Sequence, residues 1–268
     1  MVLPRVIATD LDGTLLGRSG EVSERNRRAL NDAVDAGVRV VIVTARPPRT
    51  TAAIADLFDC AAVVCGNGAH TQRPDRDPLV RAIDRDTSGT LVDKLRGALP
   101  GVGFAVETGV GFYHDADYRL ESWMLPEWVS GVLDDTDSLL AAANPVTKLL
   151  ARSTAMPVHL MHDAARDSVG PLAEVTYSGS AGLVEVSAPG VNKGSTLALL
   201  CEEWGVSRDE VVAFGDMPND RSSLTWAGSG YAMESGHQEL LDPELGLLVA
   251  PPSHEDGVGR VVERLLQG

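Results

Sequence analysis

Val6-Ile7-Ala8-Thr9-Asp10-Leu11-Asp12-Gly13-Thr14 is an apolar run that breaks into two aspartates and a glycine. Four small or β-branched residues in succession read as a strand buried on both faces, because a strand with one wet face would alternate. Downstream, Ser23 is placed to cap a helix, Leu30, Ala33 and Val34 share one of its faces, and Gly37 sits where that helix should end. A second apolar run, residues 38–43, then breaks into Thr44-Ala45-Arg46. Strand, helix, strand predicts a parallel pair joined by a right-handed crossover.

The same grammar recurs along the chain. Residues 61–65 break into Gly66-Asn67-Gly68, residues 211–214 break into Gly215-Asp216-Met217-Pro218-Asn219-Asp220, and residues 246–250 supply another strand. In an open parallel sheet the carboxyl ends of the strands border the ligand crevice, so Asp10, Thr44, Asn67 and Asp216 are expected to converge. Val258, Val261, Val262, Leu265 and Leu266 have helical spacing and predict a terminal helix on that sheet. The middle of the chain differs: residues 103–108 and 111–114 alternate around Gly109-Val110 like a hairpin, residues 146–151 and 182–187 read as strands, and Val158–Val169 reads as a helix. The expected fold class is α/β, a Rossmann-like parallel sheet core of residues 1–84 and 186–268 with an inserted α+β cap domain over 85–185.

Composition narrows the function. The 268 residues carry 23 basic and 38 acidic side chains, a net charge of -15, and 44% of them are hydrophobic, enough for a sizeable core. No basic stripe is present to neutralise a row of phosphates, so nucleic acid is not an expected partner. No apolar run approaches a membrane span and Asp10 interrupts the first one early, so no membrane partner and a cytoplasmic location are expected. Cys60, Cys65 and Cys201 form no CxxC pair and read as buried reduced thiols.

The chemistry concentrates where strands end. Asp10 and Asp12 leave a buried strand one position apart, and such carboxylates are costly to desolvate unless a cation or hydrogen-bond donors meet them. Asp216 and Asp220 occupy the equivalent end of another strand, which together gives a hard oxygen site suited to Mg²⁺. Lys193 and Arg46 supply positive charge. Lys193 stands near a helix start, where a solvated cation is slightly unfavourable, so a functional role explains it better. Gly66-Asn67-Gly68 is no dinucleotide fingerprint, because the third glycine position holds Thr71. Gly190-Val191-Asn192-Lys193-Gly194-Ser195-Thr196 is no nucleotide loop, because the lysine precedes the last glycine.

Asp10-Leu11-Asp12-Gly13-Thr14, Thr44, Lys193-Gly194 and Gly215-Asp216-x-x-Asn219-Asp220 resemble, in order and spacing, the four signatures of haloacid dehalogenase superfamily phosphatases. Gly66-Asn67-Gly68-Ala69, the large insert and Glu255-Asp256-Gly257-Val258 resemble the Cof-type branch, and the likeness covers nearly the whole chain. It implies Asp10 as nucleophile forming an aspartyl-phosphate, and Asp12 as the acid and then base, with its backbone carbonyl facing the metal. It implies Mg²⁺ on Asp10, Asp12 and Asp216, with Thr44 and Lys193 on the transferring phosphoryl group and Asp220 supporting Lys193. Arg46, Asn67, Gly68 and Asn219 are the implied substrate-binding positions. Ala45 departs from the glycine common in the family, which bears on how closely that loop approaches the phosphate.

The activity so implied is Mg²⁺-dependent hydrolysis of phosphate monoesters of small metabolites, with sugar phosphates first and flavin mononucleotide and pyridoxal phosphate behind them. The alternatives are a phosphomutase using the same aspartyl-phosphate and a non-catalytic phosphometabolite-binding protein. A small phosphorylated metabolite is the expected partner, and a monomer or homodimer the expected state. In the insert, Glu107, His114, Asp115 and Glu185 read as ordinary solvated side chains or as selectors of the leaving group. Trp123, Met124, Leu125 and Trp128 form an apolar stripe expected in the insert's core. His159, His162 and Asp163 lack the further ligands of a zinc site.

Overall fold

The computed structural model describes residues 3–121, 124, 126–179 and 182–268. The chain runs through β1 (Val6–Thr9), α1 (Glu24–Asp35), β2 (Arg39–Val43), α2 (Ala52–Ala55), β3 (Ala62–Cys65), β4 (His70–Arg73) and β5 (Arg76–Val80). Next come α3 (Arg85–Ala98), β6 (Gly103–Glu107), β7 (Phe112–Asp115), β8 (Val129–Leu133), α4 (Thr136–Ala142), β9 (Lys148–Arg152), α5 (Val158–Val169), β10 (Glu174–Thr176) and β11 (Leu183–Ser187). It closes with α6 (Lys193–Glu203), β12 (Val211–Gly215), α7 (Arg221–Trp226), β13 (Ser229–Met233), β14 (Leu248–Ala250) and α8 (Gly257–Gln267).

Two compact units result. One comprises the chain up to Arg46 with Thr50–Leu79 and Asn192–Gly268; the other comprises Pro47–Arg49 and Val80–Val191. The divisions fall a few residues from the 84/85 and 185/186 boundaries expected from sequence. The reason at the second is that β11 continues through Ser187 before the chain leaves its sheet.

In the first unit an eight-stranded sheet runs β14-β13-β12-β1-β2-β3-β4-β5. β1 pairs parallel with both β12 and β2, and β4 lies antiparallel to β3. All four residues of β1 are buried, as a central strand requires. Ile7 faces a cluster with Leu30, Val258, Val262 and Leu265, while Val6 and Ala8 face another with Leu197, Leu200 and Leu224. Helices α1 and α8 thus cover one face, and α6 and α7 the other. Truncating a wholly buried member such as Leu30 to Ala costs about 2–5 kcal/mol. Helix α1 starts where expected, with the Ser23 hydroxyl accepting from the Asn26 N–H at 3.1 Å.

The second unit has a six-stranded sheet, β10-β11-β9-β6-β7-β8. Glu107 lies opposite Lys148, and Ala105 and Glu185 each lie opposite Leu150, so these polar groups share one face. The expectation that Glu107, His114, Asp115 and Glu185 are ordinary solvated side chains is corrected, because all four are buried. Lys148 donates to Glu185 at 2.6 Å, Arg49 pairs with Glu107, and the Asp115 carboxylate accepts from the backbone N–H groups of Phe104 and Tyr118. His162 Nε2 lies 3.2 Å from the Val175 carbonyl, so this ring ties α5 to β10. In the apolar stripe, Met124 packs on the cluster of Ala105, Phe112, Tyr118 and Leu150, while Trp123 and Leu125 lie outside the described residues. Cys60, Cys65 and Cys201 are free and buried, and burial pushes the Cys60 thiol up to about 12.

Candidate active site

The strand order places the site. From β1 the sheet continues to β2 and β3 on one side and to β12 and β13 on the other, so the β1/β12 border is the point where connections diverge. Asp10 follows β1 and Asp216 follows β12 across that border. Thr44 follows β2, Asn67 follows β3, and the Asp10 N–H donates to the Phe214 carbonyl at 3.1 Å, carrying the pairing one step past the strands.

Lys193 reaches the same point from the first turn of α6. A capping box sets that turn: the Asn192 side chain accepts from the Ser195 N–H at 2.8 Å and the Ser195 hydroxyl from the Asn192 N–H at 3.1 Å. The lysine is 1% exposed, with Nζ 2.7 Å from Asp10 Oδ1 and 2.6 Å from Asp220 Oδ1. Burial alone would push this ammonium down, but Asp10 and Asp220 together hold it above the usual lysine range, so it stays charged. Burial raises the Asp10 carboxyl well above its ordinary value, while Lys193 pulls the other way. The other oxygen of Asp220, Oδ2, accepts from the N–H groups of Asp216 and Met217, both at 3.0 Å.

Asp216 is held by a residue to which sequence reasoning gave no role. The Thr14 hydroxyl, fully buried, donates to Asp216 Oδ1 at 3.0 Å. Its signal was its place at the end of the quoted Asp10–Thr14 stretch. Gly13 makes this approach possible: its φ is +77°, and a Cβ there would come 2.2 Å from Asp216 Oδ2. Burial first, and then the charge of Asp220, push the Asp216 carboxyl up to about 7.

Asp12 stands apart from this buried group. Its side chain is 60% exposed, and Arg46 grips both its oxygens, Nε to Oδ2 at 2.7 Å and Nη2 to Oδ1 at 2.6 Å. Arg46, expected on the substrate, therefore has its guanidinium on Asp12 here, and that bond holds it above its ordinary range. Thr44 begins no helix; its hydroxyl accepts from the Arg46 N–H at 3.1 Å, which closes a tight turn. Asn67, at a left-handed φ of 57°, accepts one hydrogen bond from the Asn219 side-chain amide and, through its own N–H, gives one to the Thr44 carbonyl, both at 3.0 Å. Thr196 Oγ1 donates to the Gly68 carbonyl at 3.1 Å, so α6 anchors that loop as well.

Carboxylate oxygens of Asp10, Asp216 and Asp220 lie within 4.8 Å of one another. Three buried carboxylates face one buried ammonium, an imbalance that a divalent cation would offset. The donors are hard oxygens, so the chemistry of the set matches Mg²⁺ rather than a soft metal. Asp10 and Asp216 have oxygen to offer; both Asp220 oxygens are engaged by Lys193 and backbone N–H groups.

Comparison with known proteins gives the family. The haloacid dehalogenase-like hydrolase family matches residues 7–262. The chain is 27% identical to the 5-amino-6-(5-phospho-D-ribitylamino)uracil phosphatase YwtE of Bacillus subtilis, over 98% of this chain and 99% of that one. It is 25% identical to the chloroplastic endoribonuclease YBEY of Arabidopsis thaliana, but there it spans 46% of that protein's length against 96% of its own. The solved structure of the subclass IIB sugar phosphatase BT4131 superimposes with a TM-score of 0.81 over 97% of this chain and 98% of that one, at 19% identity, which shows the fold. With its signatures gathered at the carboxyl ends of the central strands and the family match spanning nearly its whole length, the chain belongs to the haloacid dehalogenase-like hydrolases.

Proposed function

We propose that this enzyme hydrolyses phosphate monoesters of small metabolites, sugar phosphates foremost, through an aspartyl-phosphate on Asp10. The observation that carries the reading is the buried Asp10 carboxylate at the centre of the switch point, 2.7 Å from a buried lysine and beside Asp216. Asp10 attacks phosphorus in line, the bond from phosphorus to the ester oxygen breaks, and Asp12 delivers a proton to that leaving oxygen. Water then attacks the aspartyl-phosphate, Asp12 takes its proton, and inorganic phosphate leaves with Asp10 restored. Lys193 and the Thr44 hydroxyl stabilise charge on the phosphoryl oxygens.

Asp10 and Asp216 would hold Mg²⁺, with the Asp12 carbonyl as the third protein ligand. The ion supplies positive charge that lets an anionic nucleophile meet an anionic ester. Asp12 serves as acid only after its pair with Arg46 opens, and an arriving phosphate is a natural competitor for that guanidinium. The substrate of the Bacillus relative carries a phosphorylated ribityl chain, and BT4131 is a sugar phosphatase; both support a polyhydroxylated leaving group.

The test is phosphate release from a panel of sugar phosphates, flavin mononucleotide and pyridoxal phosphate, with Mg²⁺ or chelator, beside Asp10→Asn. Release that requires both Mg²⁺ and Asp10 supports the reading. A phosphate isomer in place of free phosphate would assign a mutase, and ligand binding without turnover would assign a binding protein.

A further inference from the structure

Asn26 is a polar residue on an apolar face. It lies in α1 one turn before Ala29 and Leu30 and two before Ala33, all buried in one cluster with Leu15, Leu16, Val258 and Val262, and it is itself 0% exposed. An amide in such surroundings is costly unless both its ends are satisfied, and here both are. Its Nδ2 donates to the Leu15 carbonyl at 2.9 Å, and its Oδ1 accepts from the Gly259 N–H at 2.8 Å.

Both partners matter. Gly259 lies in the first turn of α8, where N–H groups need outside acceptors, and the capping residue Asp256 makes no side-chain capping bond. A Cβ on Gly259 would sit 2.8 Å from Asn26 Oδ1, so the position must stay bare for the amide to reach it. Leu15 closes the irregular loop that follows β1. Its own N–H donates to the Asp10 carbonyl at 3.3 Å, and the Leu16 N–H donates to the Leu11 carbonyl at 2.8 Å. A continuous run of bonds therefore leads from the α8 backbone through Asn26 and Leu15 to the backbone of Asp10.

Resting on the phosphatase reading above, we infer that Asn26 is a positioning residue that locks the Asp10–Leu16 loop to helix α8 and so fixes where Asp10 and Asp12 stand. Within the loop Asp12 and Gly13 are non-helical, at φ/ψ of -72°/122° and 77°/-7°, so side-chain bonds set its path: Thr14 and Arg46 hold its first half and Asn26 holds its end. A donor and an acceptor about one amide apart are what this spot demands. Leucine, which the surrounding pattern would place here, satisfies neither the Leu15 carbonyl nor the Gly259 N–H.

Asn26→Asp is the decisive variant, because a carboxylate still accepts from Gly259 at the helix N-terminus but meets the Leu15 carbonyl with no proton to give. The expected result is kcat lowered roughly ten- to a hundredfold in folded protein, with KM within about threefold, since nucleophile placement and not substrate affinity is disturbed. Hydrogen exchange at the Leu15 and Leu16 amides is expected to quicken in parallel. That second readout needs no turnover, so it decides the loop-lock even where the panel reveals no phosphatase substrate. Should Asn26→Asp fail to fold, Gly259→Ala carries the same measurements, because its Cβ displaces the amide without removing it. Wild-type kcat together with wild-type exchange in either folded variant would overturn the inference.

Discussion

Lys193 Nζ lies 2.7 Å from Asp10 Oδ1, with the lysine 1% exposed. The buried ammonium offsets Asp10 and Asp220, and in the proposed mechanism it shares the phosphoryl group's charge once substrate arrives. Removing it leaves two buried carboxylates without their cation. Lys193→Met is expected to lower stability by about 3–5 kcal/mol and to abolish turnover. Denaturant unfolding and phosphate release measure the two effects, and an active, equally stable Lys193→Met protein would contradict both.

In the proposed mechanism Asp12 acts at two moments, and a substrate with a good leaving group separates them. Nitrophenolate departs without a proton, whereas the aspartyl-phosphate still needs a base for its hydrolysis. Asp12→Asn mixed with p-nitrophenyl phosphate is therefore expected to give a burst of about one nitrophenol per site and then slow turnover. On an alkyl phosphate the same variant should lose about 10²–10⁴ in rate with no burst. Equal losses on both substrates would remove the acid role.

Asp216 makes the metal-free protein pH-sensitive. Its carboxyl is pushed up to about 7 in the folded state, so between the ordinary carboxylate range and about 7 the folded chain binds more protons than the unfolded one. Stability from this group is full at low pH and is lost as pH rises through about 7; Asp10, also raised, acts in the same direction. Chelated protein is expected to unfold at lower denaturant at pH 8 than at pH 6, with the difference reduced in Asp216→Asn. A metal-free protein that gains stability over this interval would contradict the burial argument.

The second unit offers a test on a buried ion pair. Lys148 and Glu185 form a 2.6 Å pair with side chains 5% and 4% exposed. Lys148→Met leaves a carboxylate buried and is expected to cost about 3–5 kcal/mol, whereas Lys148→Met with Glu185→Leu should recover most of it. Equilibrium unfolding of the two variants decides the point.

Legibility followed burial. The runs that became β1, β2, β3 and β12 announced themselves because central strands are apolar throughout and end abruptly in polar residues. β5 did not: Arg76-Asp77-Pro78 is an exposed edge sequence, and proline survives there because the edge needs no ladder donor. β13 carries Ser229 and Gly230 and reads as loop, and β8 alternates half-exposed residues at the far edge of its sheet. In helix α3 the run Thr87-Ser88-Gly89-Thr90 hides the buried face of Leu91, Val92 and Leu95. The site residues were legible where the chain itself groups them. What the sequence could not show were bonds across long separations: Arg46 on Asp12, Thr14 on Asp216, and Asn26 between the Asp10–Leu16 loop and helix α8.

The central claim is that Asp10 becomes phosphorylated. Enzyme in excess over a sugar phosphate that it hydrolyses, quenched within a turnover, reduced with borohydride and analysed by peptide mass spectrometry, tests it directly. Borohydride converts an aspartyl-phosphate to homoserine, so the account predicts homoserine at position 10 only when substrate is present, with Asp12 and Asp216 unchanged. Stoichiometric phosphate release with every aspartate intact would contradict it and assign the attack to water.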